Sequence, residues 1–178
     1  MKDHIEKIQK YLHNGHAEDI ENRIERLRMY IDEILLDMED TQERRCGYLH
    51  LYGVSQACAM IALKRNQNVE LATMVGMLHD LHSYKAMNTE NHAEHGAELA
   101  RQILEKLSLT TDDETDLICL AIRNHSSKAT THSEFDEILK DADVLQHCLY
   151  NPLFPVMEHE KYRFQNLLAE FGILEIHL

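Results

Sequence analysis

The chain has 178 residues, enough for one domain with a substantial core and at most a small appendage. Its formal net charge of −13 at pH 7 disfavours nucleic acid or an anionic membrane as a partner across the whole surface. Two prolines and six glycines, among abundant Leu, Ile, Ala, Glu and Met, favour helix almost throughout.

A short helix over residues 3–12 is expected first, broken by His13-Asn14-Gly15. Ile20, Ile24, Leu27, Ile31, Ile34 and Met38 then draw one apolar stripe along a long helix. Residues 1–40 thus read as an N-terminal helical extension that packs on the body or on a partner chain, and the stripe is compatible with a homodimer. Residues 41–178 form the main domain. Its first helix, Thr41 to Leu63, is apolar nearly all round and is expected at the centre of the domain. After Asn66-Gln67-Asn68, a helix over Val69 to about His82 carries His79 and Asp80 near its end, and Ser83 to Asn91 reads as a polar loop.

A helix over His92 to Leu107 follows. Thr110-Thr111-Asp112-Asp113-Glu114 reads as a cap with an acidic first turn, opening a helix that ends near His125. The last two helices are placed at Glu134 to about Leu149 and at roughly Val156 to Phe171, separated by Asn151-Pro152. Strand-like alternation is absent, so the expected fold is all-α.

The cysteines, Cys46, Cys58, Cys119 and Cys148, are widely spaced and form no CxxC, which suits free thiols in a reducing compartment. The opening MKDHIEKIQKYLHNGH lacks the apolar core of a signal peptide, and no run is long enough to span a membrane. A soluble cytoplasmic protein is expected.

Histidine is the outlier, with thirteen in the chain. His4, His13, His16, His159 and His177 fall in polar or terminal segments; the other eight lie between residues 50 and 147. Helix breaks put His50, His79, Asp80, His92, His125 and Asp143 on different helices or helix ends, each in or beside an apolar stretch. One such histidine alone reads as a satisfied core residue. A set mixing imidazole nitrogen with carboxylate oxygen suits a divalent ion such as Fe, Mn, Ni, Zn or Mg.

These residues carry a resemblance. His50 in HLYGV, the dyad in GMLHDLHSYK, His92 in HAEHGAELA, His125 in AIRNHSSK and Asp143 in KDADVL resemble, in order, the HD-domain metal-dependent phosphohydrolase superfamily. The resemblance covers roughly residues 45 to 150. It implies an HD-domain helical bundle in which His50, His79, Asp80 and Asp143 are metal ligands. His92 and His125 match the additional ligands of two-metal subfamilies, among them bacterial symmetrical dinucleoside tetraphosphate hydrolases. One or two divalent ions are implied, with Asp80 as the bridge in the two-ion case.

The implied activity is phosphohydrolysis of a nucleotide or small phosphate ester by metal-activated water, with His79, Asp80 and Lys85 as catalytic residues. Lys85, Arg123 and Lys128 are candidate phosphate contacts, although the spacing from the dyad to Lys85 departs from the family pattern. The GYP element of cyclic-dinucleotide phosphodiesterases is absent. Asp141 is the reserve for Asp143, or a residue that orients a ligand histidine. His95 reads as a surface residue or a support to the ligands, and His82, His132 and His147 as loop or helix-surface residues, with support to the ligands as the lesser alternative. A nucleotide- or metal-sensing regulatory module without turnover, a helical interaction protein and an iron oxygenase remain as competing readings.

Overall fold

The computed structural model describes residues 22–173, and among these every regular element is a helix. They are α1 (Arg23–Leu36), α2 (Thr41–Lys64), α3 (Val69–Leu78), α4 (Leu81–Ala86), α5 (His92–Leu107), α6 (Asp112–Asn124), α7 (Glu134–Tyr150) and α8 (Lys161–Glu170). The expected helix over residues 3–12, and Ile20 of the apolar stripe, lie outside the described residues. None of the described helices is long and apolar enough to cross a membrane.

Capping side chains start most of these helices. Asn22, Asp40, Asn68 and Ser133 each accept from a backbone N–H of the first turn. At α6, Thr111 and Glu114 form a reciprocal capping box, so three acidic residues sit where the helix dipole favours them. These local signals explain why the starts of α2, α3, α6 and α7 fall where the sequence places them.

The centre of the bundle is α3 rather than α2. Seven of the ten residues of α3 are buried, and it packs against α1, α2, α4, α6 and α7. Helix α2 instead keeps one face outside, exposing Leu49, Met60 and Leu63. Gly76 permits the close approach of the two helices. A Cβ there would lie 2.5 Å from Ser55 Cα and 2.8 Å from Ser55 N, both backbone atoms that cannot turn aside.

Helix α1 belongs to the same core. Leu27, Ile31 and Leu35 are fully buried, while Ile24 and Ile34 pack at its edge. Arg23 bridges Glu70 of α3 at 2.7 Å and Glu114 of α6 at 2.9 Å, and Arg26 donates to the Leu107 carbonyl.

Two boundaries differ from expectation. The helix from Val69 breaks at the dyad: His79 keeps helical angles, but Asp80 turns to φ −113°, ψ 10° and α4 restarts at Leu81. Residues 83–86 are therefore helical rather than loop. The last helix begins only at Lys161, because Asn151 to Glu160 fold as turns around two prolines that lack an N–H.

A network of ion pairs fastens α8 and the segment before α7 to the bundle. Arg65 at the end of α2 binds Asp141 and Glu170, while Arg163 of α8 binds Asp141 and Glu137. The fully buried Lys140 donates to Glu137 Oε1, His132 Nδ1 and the Thr130 carbonyl. Arg163 also donates to the Lys128 carbonyl at 2.8 Å.

Gly76→Ala is expected to lower stability by at least about 1–3 kcal/mol, measured as a shift in urea midpoint, because the obstructing atoms are backbone. A second expectation concerns Glu137. Burial would raise its pKa, but Lys140, Arg163 and the His132 N–H together hold it below the ordinary 4.5. A carboxylate depressed on folding contributes stability above its unfolded pKa and loses it as pH falls through the folded value. The stability gap between wild type and Glu137→Gln should be full at neutral pH and shrink below pH 4.5.

Candidate metal centre

Five helix ends and helix faces converge on two carboxylates. His50 comes from the middle of α2, His79 and Asp80 from the α3–α4 break, and His92 from the first residue of α5. His125 comes from the end of α6, and Asp143 from α7. Their donor atoms fall into overlapping groups, each lying within 4.8 Å.

The orientation of each ring follows from one hydrogen bond. His79 Nδ1–H donates to the Gly76 carbonyl at 2.8 Å, His125 Nδ1–H to Ile122 at 2.6 Å, and His92 Nδ1–H to Thr89 at 3.1 Å. In all three the acceptor lies three residues earlier in the chain. His79 and His125 cap α3 and α6, where the Gly76 carbonyl has no backbone partner and the Ile122 carbonyl has only the long bond from the His125 N–H, so both can accept. His50 Nδ1 is 3.0 Å from the side-chain oxygen of Gln146. With acceptors on Nδ1, the neutral ring carries its proton there and leaves the Nε2 lone pair free.

All four Nε2 atoms face the aspartates. His50 Nε2 lies 3.1 Å from His79 Nε2, 3.5 Å from Asp80 Oδ2 and 3.6 Å from Asp143 Oδ1. His79 Nε2 is 3.6 Å from Asp80 Oδ2 and 3.9 Å from Asp143 Oδ1. On the other side, His125 and His92 Nε2 lie 3.5 and 3.8 Å from Asp80 Oδ1. Asp80 thus turns one oxygen toward the His50–His79 pair and the other toward the His92–His125 pair.

Asp80 Oδ1 and Asp143 Oδ1 are buried, and neither accepts a hydrogen bond from any described residue. Ligands about 2.0–2.2 Å from a common ion stand roughly 3–3.5 Å apart at tetrahedral or octahedral angles. The spacings above suit such a shared ion, whereas orphaned buried carboxylate oxygens without one are costly.

The electrostatics point the same way. Burial pushes His79 down to about 4, so its ring is neutral at ordinary pH. Burial likewise opposes charge on Asp80 and Asp143, yet the surrounding imidazoles, with Lys128 beside Asp143, hold both carboxyls below the usual range. His50 shifts upward because Asp80 and Asp143 outweigh its burial. The fold favours positive charge between the two carboxylates.

The other sequence candidates fall in different places. Lys128 Nζ is 2.5 Å from Asp143 Oδ2, at the edge of the cluster. Arg123 pairs with Glu94 of α5 on the surface, at 3.0 Å. Lys85 is exposed on the last turn of α4, and no hydrogen bond joins it to the cluster. Asp141 is taken up by Arg65 and Arg163, on a different face of α7 from Asp143. His82 and His95 pack their rings together, with centroids 5.0 Å apart, outside this group.

Three contributors were not singled out from sequence. Gln146 orients His50, Ser126 Oγ lies 2.9 Å from His92 Nε2, and His147 approaches Asp143. His147 is exposed on α7, as expected, yet its ring stacks on His50 and its Nε2 lies 3.2 Å from Asp143 Oδ1. The available signal was its position, four residues after Asp143 on a helix.

Residues 47–147 match the model of the HD domain, more than half of the chain. The chain belongs to the HD-domain family. Its fold is similar to the crystal structure of a predicted HD superfamily hydrolase from an uncultured Thermotogales bacterium, with TM-score 0.55 and 22% identity. That likeness covers 82% of this chain and 87% of the other. No curated protein matches the chain. The HD match begins within α2, so α1 lies outside it even though its apolar face is part of the core.

In this HD domain, Gln146→Ala removes the acceptor that fixes the His50 ring. Loss of such an orienting partner typically costs about 10–100-fold in metal affinity, and that loss is expected here in competition against a chelator.

Proposed function

We propose that this HD protein is a metal-dependent phosphohydrolase acting on a nucleotide or another small phosphate ester, with two divalent ions in its centre. The observation that carries the two-ion reading is the division of the Asp80 oxygens between two histidine pairs. His50, His79 and Asp143 would hold one ion and His92 and His125 the other, with Asp80 common to both. Divalent ions at such a centre bring the pKa of a water toward neutrality and polarise a phosphoryl oxygen.

The remaining groups have roles that follow from their placement. The Nδ1 bonds keep four rings aimed at the carboxylates before any substrate arrives, so little reorganisation is left for the reaction. Lys128 supplies an ammonium beside Asp143, where it neutralises a phosphoryl oxygen on entry. It takes the phosphate-contact role here because it lies against a residue of the cluster, whereas Lys85 is exposed with no hydrogen bond to the cluster and Arg123 pairs with Glu94 on the surface.

A cleft of about 500 Å³ opens beside Asp80 and His92. Tyr84 and Met87 give it apolar surface, while Asn88 and Thr89 add polar groups. Such a mixture suits the organic part of a small phosphate ester.

The test is metal analysis of the purified protein together with phosphate release from mono-, di- and dinucleotide phosphates with and without oxygen. Bound divalent metal and oxygen-independent phosphate release are expected. Asp80→Asn, which takes the charge from the ligand common to both ions, should lower turnover by more than about a hundredfold, beyond the range for loss of an orienting partner alone. Lys128→Met should act chiefly on KM. Metal-loaded protein that is stabilised by nucleotides yet releases no phosphate would replace the hydrolase with a sensor.

A further inference from the structure

His147 stands apart from the six residues of the proposed centre, yet its surroundings repeat theirs. Its Nδ1 lies 2.9 Å from Oε1 of Glu160, a carboxylate that is itself buried. Its Nε2 lies 3.2 Å from Asp143 Oδ1, but that oxygen has no hydrogen-bond partner among the described residues. The two atoms are close without being aligned for a hydrogen bond, as donors aimed at a common point are. The ring stacks on His50 with centroids 5.3 Å apart and planes 15° apart. His50, Asp143 and His147 present ligand atoms within 4.8 Å of one another.

We infer that His147, oriented by Glu160, is a further ligand of the ion held by His50, His79 and Asp143. This rests on the proposed metal centre and adds a residue to it. The carboxylate on Nδ1 has a specific consequence: a ligating imidazole whose other nitrogen donates to a carboxylate is a stronger base and has a fixed tautomer. Glu160 would be that carboxylate. The ordinary alternative is an imidazolium held between Asp143 and Glu160, with no part in ion binding.

Position explains what the ligand adds. The side chain of His147 is 43% exposed, whereas His79 and Asp143 are almost wholly buried. It therefore closes the centre at its rim, beside a cavity of about 280 Å³ lined partly by Phe154, Val156 and Met157. The turn-rich segment before α8 matters to the centre because it delivers Glu160 to the back of this ring.

The deciding experiment loads the full chain with Co²⁺ and records visible d–d spectra, metal stoichiometry and affinity for wild type, His147→Ala and Glu160→Gln. His147→Ala is expected to change the d–d bands and weaken Co²⁺ binding by at least about 10–100-fold, the range for loss of an orienting partner, and added imidazole should restore the wild-type spectrum. Glu160→Gln, which keeps the shape but removes the charge, should give a smaller change in the same direction.

Unchanged spectra and affinity in both variants would overturn the assignment while leaving the metal centre intact. Failure of wild type to take up Co²⁺ would instead remove the centre itself. If His147→Ala does not fold, as judged by circular dichroism, the Glu160→Gln spectrum decides alone.

Discussion

Each imidazole of the centre is held through Nδ1 so that Nε2 faces the aspartates, with Ser126 Oγ beside the Nε2 atoms of His92 and His125. Backbone carbonyls hold His79, His92 and His125, and the Gln146 side chain holds His50. Without these bonds the rings could turn and satisfy both nitrogens elsewhere. With them, lone pairs and carboxylate oxygens meet in one small region, an arrangement that only a cation makes favourable. The helix ends are instrumental: a carbonyl in the last turn of α3 or α6 is the acceptor that aims the ring.

The frame exists to bring those ends together. Gly76 lets α3 pass against the backbone of α2, and Gly96 does the same for α5. A Cβ at Gly96 would come within 2.8 Å of the His79 carbonyl oxygen. Glycine here is chosen for absence of bulk, since both residues are ordinary helix positions. On the opposite side the network of Arg65, Arg163, Glu137 and Asp141 fixes the stretch that carries Lys128. Two acidic residues two places apart on α7 thus serve different ends: Asp141 fastens the frame and Asp143 faces the histidines.

What the sequence showed most clearly was whatever depends on near neighbours. The cap at Thr111 announces a helix start because its partner lies three residues on, and Asn68 and Ser133 act over the same short reach. The HD motif announces the cluster through an ordered set of residues. The break at Asp80 was not legible, because no Gly or Pro marks it, and the polar residues from Ser83 onward signal a loop where the chain instead restarts as α4. The buried network was hidden for a related reason: Arg65 meets Glu170 across 105 positions. His147 read as a surface histidine because its contact with Glu160 is set by a segment with no helical period.

The two aspartates come from distant parts of the chain, and this orders events during synthesis. A nascent chain that has released only α1 to α6 already contains His50, His79, His92, His125 and Asp80. It lacks Asp143, Gln146 and the clamp that α7 and α8 provide. Ion capture by the full donor set must therefore wait for α7 and α8 to emerge and dock. Occupancy of the centre would then serve as a chemical record that the fold has been completed.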